Sequence, residues 1–365
     1  VYPKSRIYGS LHGIEGAIAG KIPDITETSN AQLESLARMP GAALGSSRYK
    51  LLPNDLEPLL KTLKSHDIRI IHIIGGNDSA ETGLEISKAT KEINYDLKVI
   101  NLPKTIDNDI VLTDHSPGYG SAARFISQAT FGAGRDAKAM GINSPICIIE
   151  VMGRDSGWLA AASSFYKKNE YDAPHFIGVP EVEFSEEDFL ISIETSYRNN
   201  GYAIAVVAEK IKSKKGILRE HQSPKFTDPF GHEYYESPSK QLSGLVEKTL
   251  GVRCRWEKPG TIQRSLMDSI SSTDHEEAYD IGKKAIEMSK LEMSEIILSI
   301  HRSDQATYEY SIGYSDLRHV AGKTKYLPKK YRPNNQGDTS DSFKDYLQPL
   351  LGKPIYYTGP IFNLQ

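Results

Sequence analysis

Short apolar runs that stop at glycine or proline constrain this chain more than any other feature. Ile68 to Ile74 reads I-R-I-I-H-I-I and stops at Gly75-Gly76. Leu97 to Leu102 stops at Pro103, and Ile146 to Val151 breaks at Gly153. Phe176 to Val179, stopping at Pro180, is another, and Ala203 to Ala208 is a further apolar run that ends at Glu209. Strands this apolar are expected to be buried on both faces, as in a parallel sheet covered by helices. Helical stretches lie between them, at Glu81 to Ile93, Ser121 to Met140, Trp158 to Lys167 and Ser185 to Asn199. The alternation predicts an α/β, doubly wound architecture. A later helix is expected near Thr273, where Thr273 and Glu276 have capping-box spacing and Ala278, Ile281, Ala285 and Met288 form one apolar face. Lys212 to Lys240 and Asn334 to Ser342 are polar and read as loops or an inserted arm.

With 365 residues the chain exceeds one ordinary core, so two domains are expected. A net charge of −3 gives no global field for nucleic acid or a membrane surface. No apolar run approaches the length of a bilayer span. Cys147 and Cys254 are too few for a disulfide scaffold and fit a reducing cytoplasm. The histidines show no H-E-x-x-H or Cys/His spacing, which argues against zinc, and the absence of G-x-x-x-x-G-K-[ST] excludes a P-loop kinase. Lys210 to Lys215 holds four lysines without interleaved aromatics and reads as a solvated or substrate-proximal loop rather than a nucleic-acid patch. The chain opens on Val1, and Val1 to Gly9 reads like the interior of a domain, so an N-terminal piece is expected to be missing.

In an open α/β sheet, chemistry gathers where strands end. Three strand ends here are rich in Gly, Asp and Arg. Gly75-Gly76-Asn77-Asp78-Ser79 would let backbone N–H groups approach a phosphate at a helix N-terminus, although a capped tight turn explains it equally well. Pro103-Lys104-Thr105-Ile106-Asp107-Asn108-Asp109 sets two carboxylates two residues apart. Such a pair repels unless a metal or Lys104 relieves it, and in phosphoryl transfer one Asp can take a hydroxyl proton while another holds Mg²⁺. Val151-Met152-Gly153-Arg154-Asp155-Ser156-Gly157-Trp158 brackets an arginine with glycines, either a planar grip on phosphate or a salt-bridged connection.

In this order the three strand ends resemble the phosphofructokinases, specifically their pyrophosphate-dependent branch. The resemblance runs from Ile7 to about Gly352 and includes Leu44-Gly45-Ser46-Ser47-Arg48, Val179-Pro180-Glu181, Val207-Ala208-Glu209 and Pro259-Gly260-Thr261-Ile262-Gln263-Arg264-Ser265. P-K-T-I-D-N-D is its most specific part. The resemblance implies transfer of a phosphoryl group from pyrophosphate to the 1-hydroxyl of fructose 6-phosphate, a glycolytic step, with Mg²⁺. By similarity, Asp107 is the general base, and Thr105 with the backbone from Thr105 to Asp107 is the floor beneath the transferring group. Asp109 resembles a metal-linked carboxylate, and Asn77 stands where most members have a metal-binding Asp. Arg48, Gly76, Asn77, Asp78 and Lys104 fall in the donor site. Met152, Gly153, Arg154 and Glu209 fall in the sugar site, where Thr261 replaces a larger His or Tyr. Arg264 and Arg255 match the clamp on the 6-phosphate, with Arg255 crossing from a neighbouring subunit of a homo-oligomer. Pro145 lies where some bacterial members carry a second crossing Arg, whose task would pass to the Lys210 to Arg219 segment. The family's opening strand and G-G-D-x-P-G-x-N loop have no counterpart here. The implied fold is two doubly wound lobes with the site between them: residues 1–118 plus about 263–312 for the donor, and 119–262 plus about 313–365 for the sugar phosphate.

Donor choice rests on two of these residues, since ATP users carry Gly in place of Asp78 and of Lys104. A carboxylate at 78 within ~4 Å of a nucleotide's charge would cost roughly 4 kcal/mol at an effective dielectric near 20, about three decades of affinity if unrelieved. Lys104 adds a compact cation suited to a pyrophosphate oxygen. Two other readings use the same residues: an ATP-dependent member, and a non-catalytic paralogue that binds sugar phosphate.

Overall fold

The two strand ends that carry the aspartates and the bracketed arginine belong to different sheets. The computed structural model describes residues 5–37, 39–214, 218, 224–228, 231, 233–305 and 307–353. Three helices come first, α1 (Ile14–Ile18), α2 (Asn30–Leu36) and α3 (Leu56–Ser65), followed by β1 (Ile70–Gly75), α4 (Asn77–Glu92) and β2 (Lys98–Pro103). Then come α5 (Tyr119–Met140), β3 (Ile146–Val151), α6 (Trp158–Ala162), β4 (Phe176–Gly178), α7 (Glu186–Asn200) and β5 (Ala203–Ala208). A small hairpin, β6 (Phe226–Thr227) and β7 (Glu233–Tyr234), precedes α8 (Pro238–Leu250) and β8 (Cys254–Glu257). The chain continues through α9 (Ser272–Lys290), β9 (Ile296–Arg302), β10 (Tyr310–Asp316) and α10 (Asp341–Leu347).

The first sheet has the order β1-β2-β9-β10, parallel except for the antiparallel edge strand β10. The second, β4-β5-β3-β8, is parallel throughout. In β3 and β5 every residue is buried, as continuous apolar runs require when helices cover both faces. The core of this sheet extends through Phe189 and Ile193 of α7 to Phe343 and Leu347 of α10. The α/β architecture read from the sequence therefore holds.

Several boundaries differ. β1 is only half-buried, and Ile74 is 67% exposed, so this run is not enclosed on both faces. α4 starts at Asn77, not Glu81, because Gly76 in an extended conformation leads straight from β1 into the helix. Asn77 and Asp78 thus occupy its first turn. α6 ends at Ala162 rather than Lys167, where the Ser163 and Ser164 hydroxyls donate to the Ala160 and Ala161 carbonyls and the chain turns. The N-cap of α9 is Ser271, whose Oγ accepts from the Asp274 N–H, so the capping-box reading at Thr273 and Glu276 is corrected. Ala278 is exposed, and the buried face of α9 carries Asp274 and Glu277 beside Ile281, Ala285 and Met288. β8, β9 and β10 had no counterpart in the sequence reading. β10 sets Tyr310, Ile312 and Tyr314 on alternate positions at a half-buried edge, which breaks the continuous apolar run used to find strands. The polar stretch from Lys212 to Lys240 holds the small hairpin, and much of the rest of it, including Lys215 and Arg219, lies outside the described residues. Both cysteines are buried and free. Among the described residues no helix is long and apolar enough to cross a membrane.

Candidate active site

The aspartate turn leaves β2 at Pro103 and is shaped by its own backbone. The Lys104 N–H donates to the Gly75 carbonyl at 3.0 Å, and the Thr105 N–H to the Pro117 carbonyl at 3.2 Å. The Asp107 N–H donates to Thr105 Oγ1 at 3.1 Å, which closes the turn between them. Asn108, fully buried, has φ +54° in the left-handed region. That backbone aims Asp107 and Asp109 out of a tight turn rather than along a strand.

The opposing loop leaves β3. Gly153 has φ +140°, and a Cβ there would sit 2.6 Å from the Ser156 carbonyl, so only glycine fits. Arg154 follows at φ +47°. Its N–H donates to Glu209 Oε1 at 3.1 Å, holding the loop against the end of β5. The Ser156 hydroxyl donates to the Asp107 carbonyl at 2.9 Å, which joins the two loops directly. Sequence reasoning assigned Ser156 no role. It also passed over Gln263, a buried residue whose Oε1 accepts from the Met152 N–H at 3.1 Å while its amide donates to the Gly260 carbonyl. The only signal for either was membership of a recognised block.

Charge converges here. Arg154 Nη1 lies 3.4 Å from Asp78 Oδ2, and Arg154 Nε lies 3.9 Å from Asp107 Oδ2. Desolvation, then the nearby Asp109, pushes the Asp107 carboxyl up to about 7, with Arg154 opposing. Burial also raises Asp109, against the pull of Arg154. The Lys104 side chain reaches water, yet surrounding protein desolvates its ammonium and lowers it, with Arg264 adding to the effect and Asp107 opposing. Lys104, Arg154 and Arg264 thus share one field with the aspartate pair. Asp78 is paired with Arg154, so its charge is partly relieved. A nucleotide would meet less repulsion than a bare carboxylate at 78 implies.

Asn77 Nδ2 lies 3.2 Å from Asp109 Oδ2, and Asn77 Oδ1 is buried with no hydrogen-bond partner. Among the described residues no group of three or more His, Cys, Asp or Glu could hold a metal. Gly76 brings its backbone close to the Lys104 carbonyl. A shallow, polar depression opens beside Asp78, lined by Lys50, Leu51, Glu81, Thr82 and Glu85.

The remaining candidate residues have other neighbours. Arg255 on β8 donates to Asp136 of α5 at 2.9 Å, and Arg48 pairs with the buried Asp228 of the hairpin arm at 3.4 Å. Thr261 and Arg264 are exposed on the turn after β8, with Arg264 close enough to Lys104 to act on its charge. Pro145 is buried, with its carbonyl accepting from Ala203. Lys210 pairs with Asp155 at 3.0 Å.

The phosphofructokinase family model matches residues 1–289. The chain belongs to the phosphofructokinase family. It is 35% identical over 95% of its length to a pyrophosphate–fructose 6-phosphate 1-phosphotransferase of Rhodospirillum rubrum, covering 86% of that protein. It is 31% identical over 95% of its length to a protein of the same description from Halomonas elongata, covering 84% of it. A crystal structure of pyrophosphate-dependent phosphofructokinase from Marinobacter aquaeolei aligns with a TM-score of 0.85 at 32% identity, covering 99% of this chain and 87% of that one. As a phosphofructokinase, the chain keeps its charge cluster where the ends of β1, β2 and β3 meet.

Proposed function

We propose that this phosphofructokinase moves a phosphoryl group from pyrophosphate to the 1-hydroxyl of fructose 6-phosphate, giving fructose 1,6-bisphosphate and phosphate. The observation that carries the reading is the desolvated Asp107 carboxyl, raised to about 7, beside Lys104 and Arg154. A general base works best with a pKa near the working pH. Asp107 takes the proton from O1 as that oxygen bonds to the transferring phosphorus, and the bond to the leaving phosphate breaks. Lys104 and Arg154 offset the charge on the departing phosphate and on the group in flight. Thr105 and the Ile106 and Asp107 backbone support the transferring group from below. Met152, Gly153, Arg154, Glu209 and Thr261 hold the sugar, while Arg264 grips its 6-phosphate. Arg48, Gly76 and Asp78 bound the donor.

Mg²⁺ fits the residues present. Asp109 offers a carboxylate, and Asn77 offers an orphaned buried oxygen. Magnesium commonly takes one or two protein oxygens and completes its shell with substrate phosphates and water. When bound it would neutralise pyrophosphate charge.

Two doubly wound lobes, divided as the resemblance implies, would carry the donor and acceptor sites. In a homo-oligomer of the kind the resemblance implies, Arg255 would leave its pair with Asp136 to complete a neighbour's 6-phosphate site. A cytoplasmic location fits this glycolytic chemistry.

The test is ³¹P NMR of purified protein with fructose 6-phosphate and Mg²⁺, offering pyrophosphate or ATP. Phosphate and a sugar bisphosphate from pyrophosphate alone support the reading. Turnover with ATP alone sinks the donor assignment, and no turnover with either sinks the enzyme.

A further inference from the structure

We infer that Lys325 is a positioning residue for phosphoryl transfer: its ammonium fixes the turn that carries Asp107 and Asp109, and its backbone fastens that turn to the loop that carries Arg154. The inference rests on the function proposed above.

Lys325 lies in the segment between β10 and α10, more than two hundred residues from the turn it touches. Its Nζ donates to Asn108 Oδ1 at 3.0 Å, to the Thr113 carbonyl at 3.1 Å and to the Asp114 carbonyl at 2.9 Å. An ammonium has three donors and no acceptor, so these three oxygens use it fully. The nitrogen also lies 5.1 Å from the centroid of the Trp158 ring. The acceptors are an amide and two carbonyls, so this is not an ordinary ion pair. It spans the aspartate turn from Asn108 to Asp114.

Asn108 is the residue through which Lys325 acts. It sits between the two aspartates, fully buried, with left-handed backbone, a region asparagine enters more readily than most residues. Its Oδ1 accepts from Lys325, and its Nδ2 donates to the Tyr346 hydroxyl at 3.2 Å. Clamped from both ends of its amide, Asn108 sets the directions in which Asp107 and Asp109 leave the chain.

The backbone of Lys325 makes the second tie. Its N–H donates to the Asp109 carbonyl at 2.7 Å, and its carbonyl accepts from Trp158 Nε1 at 3.1 Å. Two residues on, the Leu327 N–H donates to Glu181 Oε1 at 2.7 Å, and the same oxygen accepts from the Gly157 N–H at 3.0 Å. One short segment therefore grips both the aspartate turn and the arginine loop. A fraction of an ångström lost here would misalign the base with the acceptor hydroxyl while leaving each binding subsite intact.

The experiment compares Lys325→Met with wild type and with Lys167→Met. Lys167 is another buried lysine donating to backbone carbonyls, those of Asp172 and Pro174, neither of which belongs to the turn. With pyrophosphate and fructose 6-phosphate, Lys325→Met should lose about 100-fold in kcat, a loss typical of a small misplacement. Both KM values should stay within about threefold, the pattern of an interaction that serves only the transition state. Lys167→Met should keep kcat within about threefold while its melting temperature falls. The inference is overturned if Lys325→Met keeps its kcat, if its loss falls on KM, or if Lys167→Met loses as much. Should Lys325→Met show no cooperative melting transition, Lys325→Gln is judged by the same comparison. Inactive wild-type protein would overturn the proposed function itself, a result distinct from an active wild type with an equally active Lys325→Met.

Discussion

The guanidinium of Arg154 stands between two carboxylates held at the strand ends of the other sheet, with Nη1 3.4 Å from Asp78 Oδ2 and Nε 3.9 Å from Asp107 Oδ2. Asp78 therefore holds the arginine that faces Asp107. Asp78→Gly alone should lower kcat with pyrophosphate by about tenfold, since a partly exposed charge pair is worth on the order of 1 kcal/mol. Asp78→Gly with Lys104→Gly should cut pyrophosphate use further and let ATP act as donor. Steady-state rates with each donor check both statements, and full pyrophosphate activity in the single variant would show that Arg154 does not need Asp78.

Asp107→Asn removes the base and keeps the shape of the side chain. Turnover should fall by about 10²- to 10⁴-fold, the usual contribution of general base catalysis. Binding of fructose 6-phosphate, followed by calorimetry, should persist. A variant that bound nothing would place Asp107 among the binding groups instead.

Arg255 carries the oligomer proposal. If it serves a neighbouring site, Arg255→Ala and Asp107→Asn protein should complement each other. Co-refolded mixtures should be more active than the sum of the two variants measured apart, because mixed oligomers contain sites with both residues intact. Strictly additive rates would return Arg255 to its own subunit, where it pairs with Asp136.

His175 gives a pH dependence of stability. Desolvation, with Lys167 nearby, lowers its imidazole to about 4, and its Nδ1 accepts from the Ile204 N–H at 3.0 Å. The folded state thus binds fewer protons than the unfolded one between about pH 6.5 and 4. Stability from this site is complete above about 6.5 and is lost as pH falls towards 4, by roughly 2–4 kcal/mol. Thermal melting from pH 7 to 4.5 should show this fall. His175→Asn, whose Oδ1 can replace Nδ1 as the acceptor, should flatten it.

Much of the site was legible before any coordinates. Pro103 to Asp109, Gly76 to Asp78 and Met152 to Arg154 are contiguous segments whose residue types suggest their chemistry, and the structure brings them together. Lys325, Ser156 and Gln263 were not legible. Each is an ordinary residue in its own stretch, and each matters only through a partner far away in sequence, as Gln263 does through Met152. The N-terminus of α9 was misread for a related reason. Thr273 satisfies the local capping rule, but its hydroxyl donates to the Pro349 carbonyl, and Ser271 takes the cap.

The amino-acid order alone determined the alternating strands and helices, the α/β class and the loops on which the reactive groups sit, because these follow from the spacing of apolar residues and from glycines that open strand ends. Only the tertiary structure decided how those groups are charged and aimed. Burial moves the Asp107 carboxyl to about 7, Arg154 is shared between two carboxylates, and an ammonium from the far end of the chain holds the aspartate turn. Desolvation and hydrogen-bond geometry depend on which atoms surround a group in space, and sequence spacing carries no record of that once the partners are two hundred residues apart.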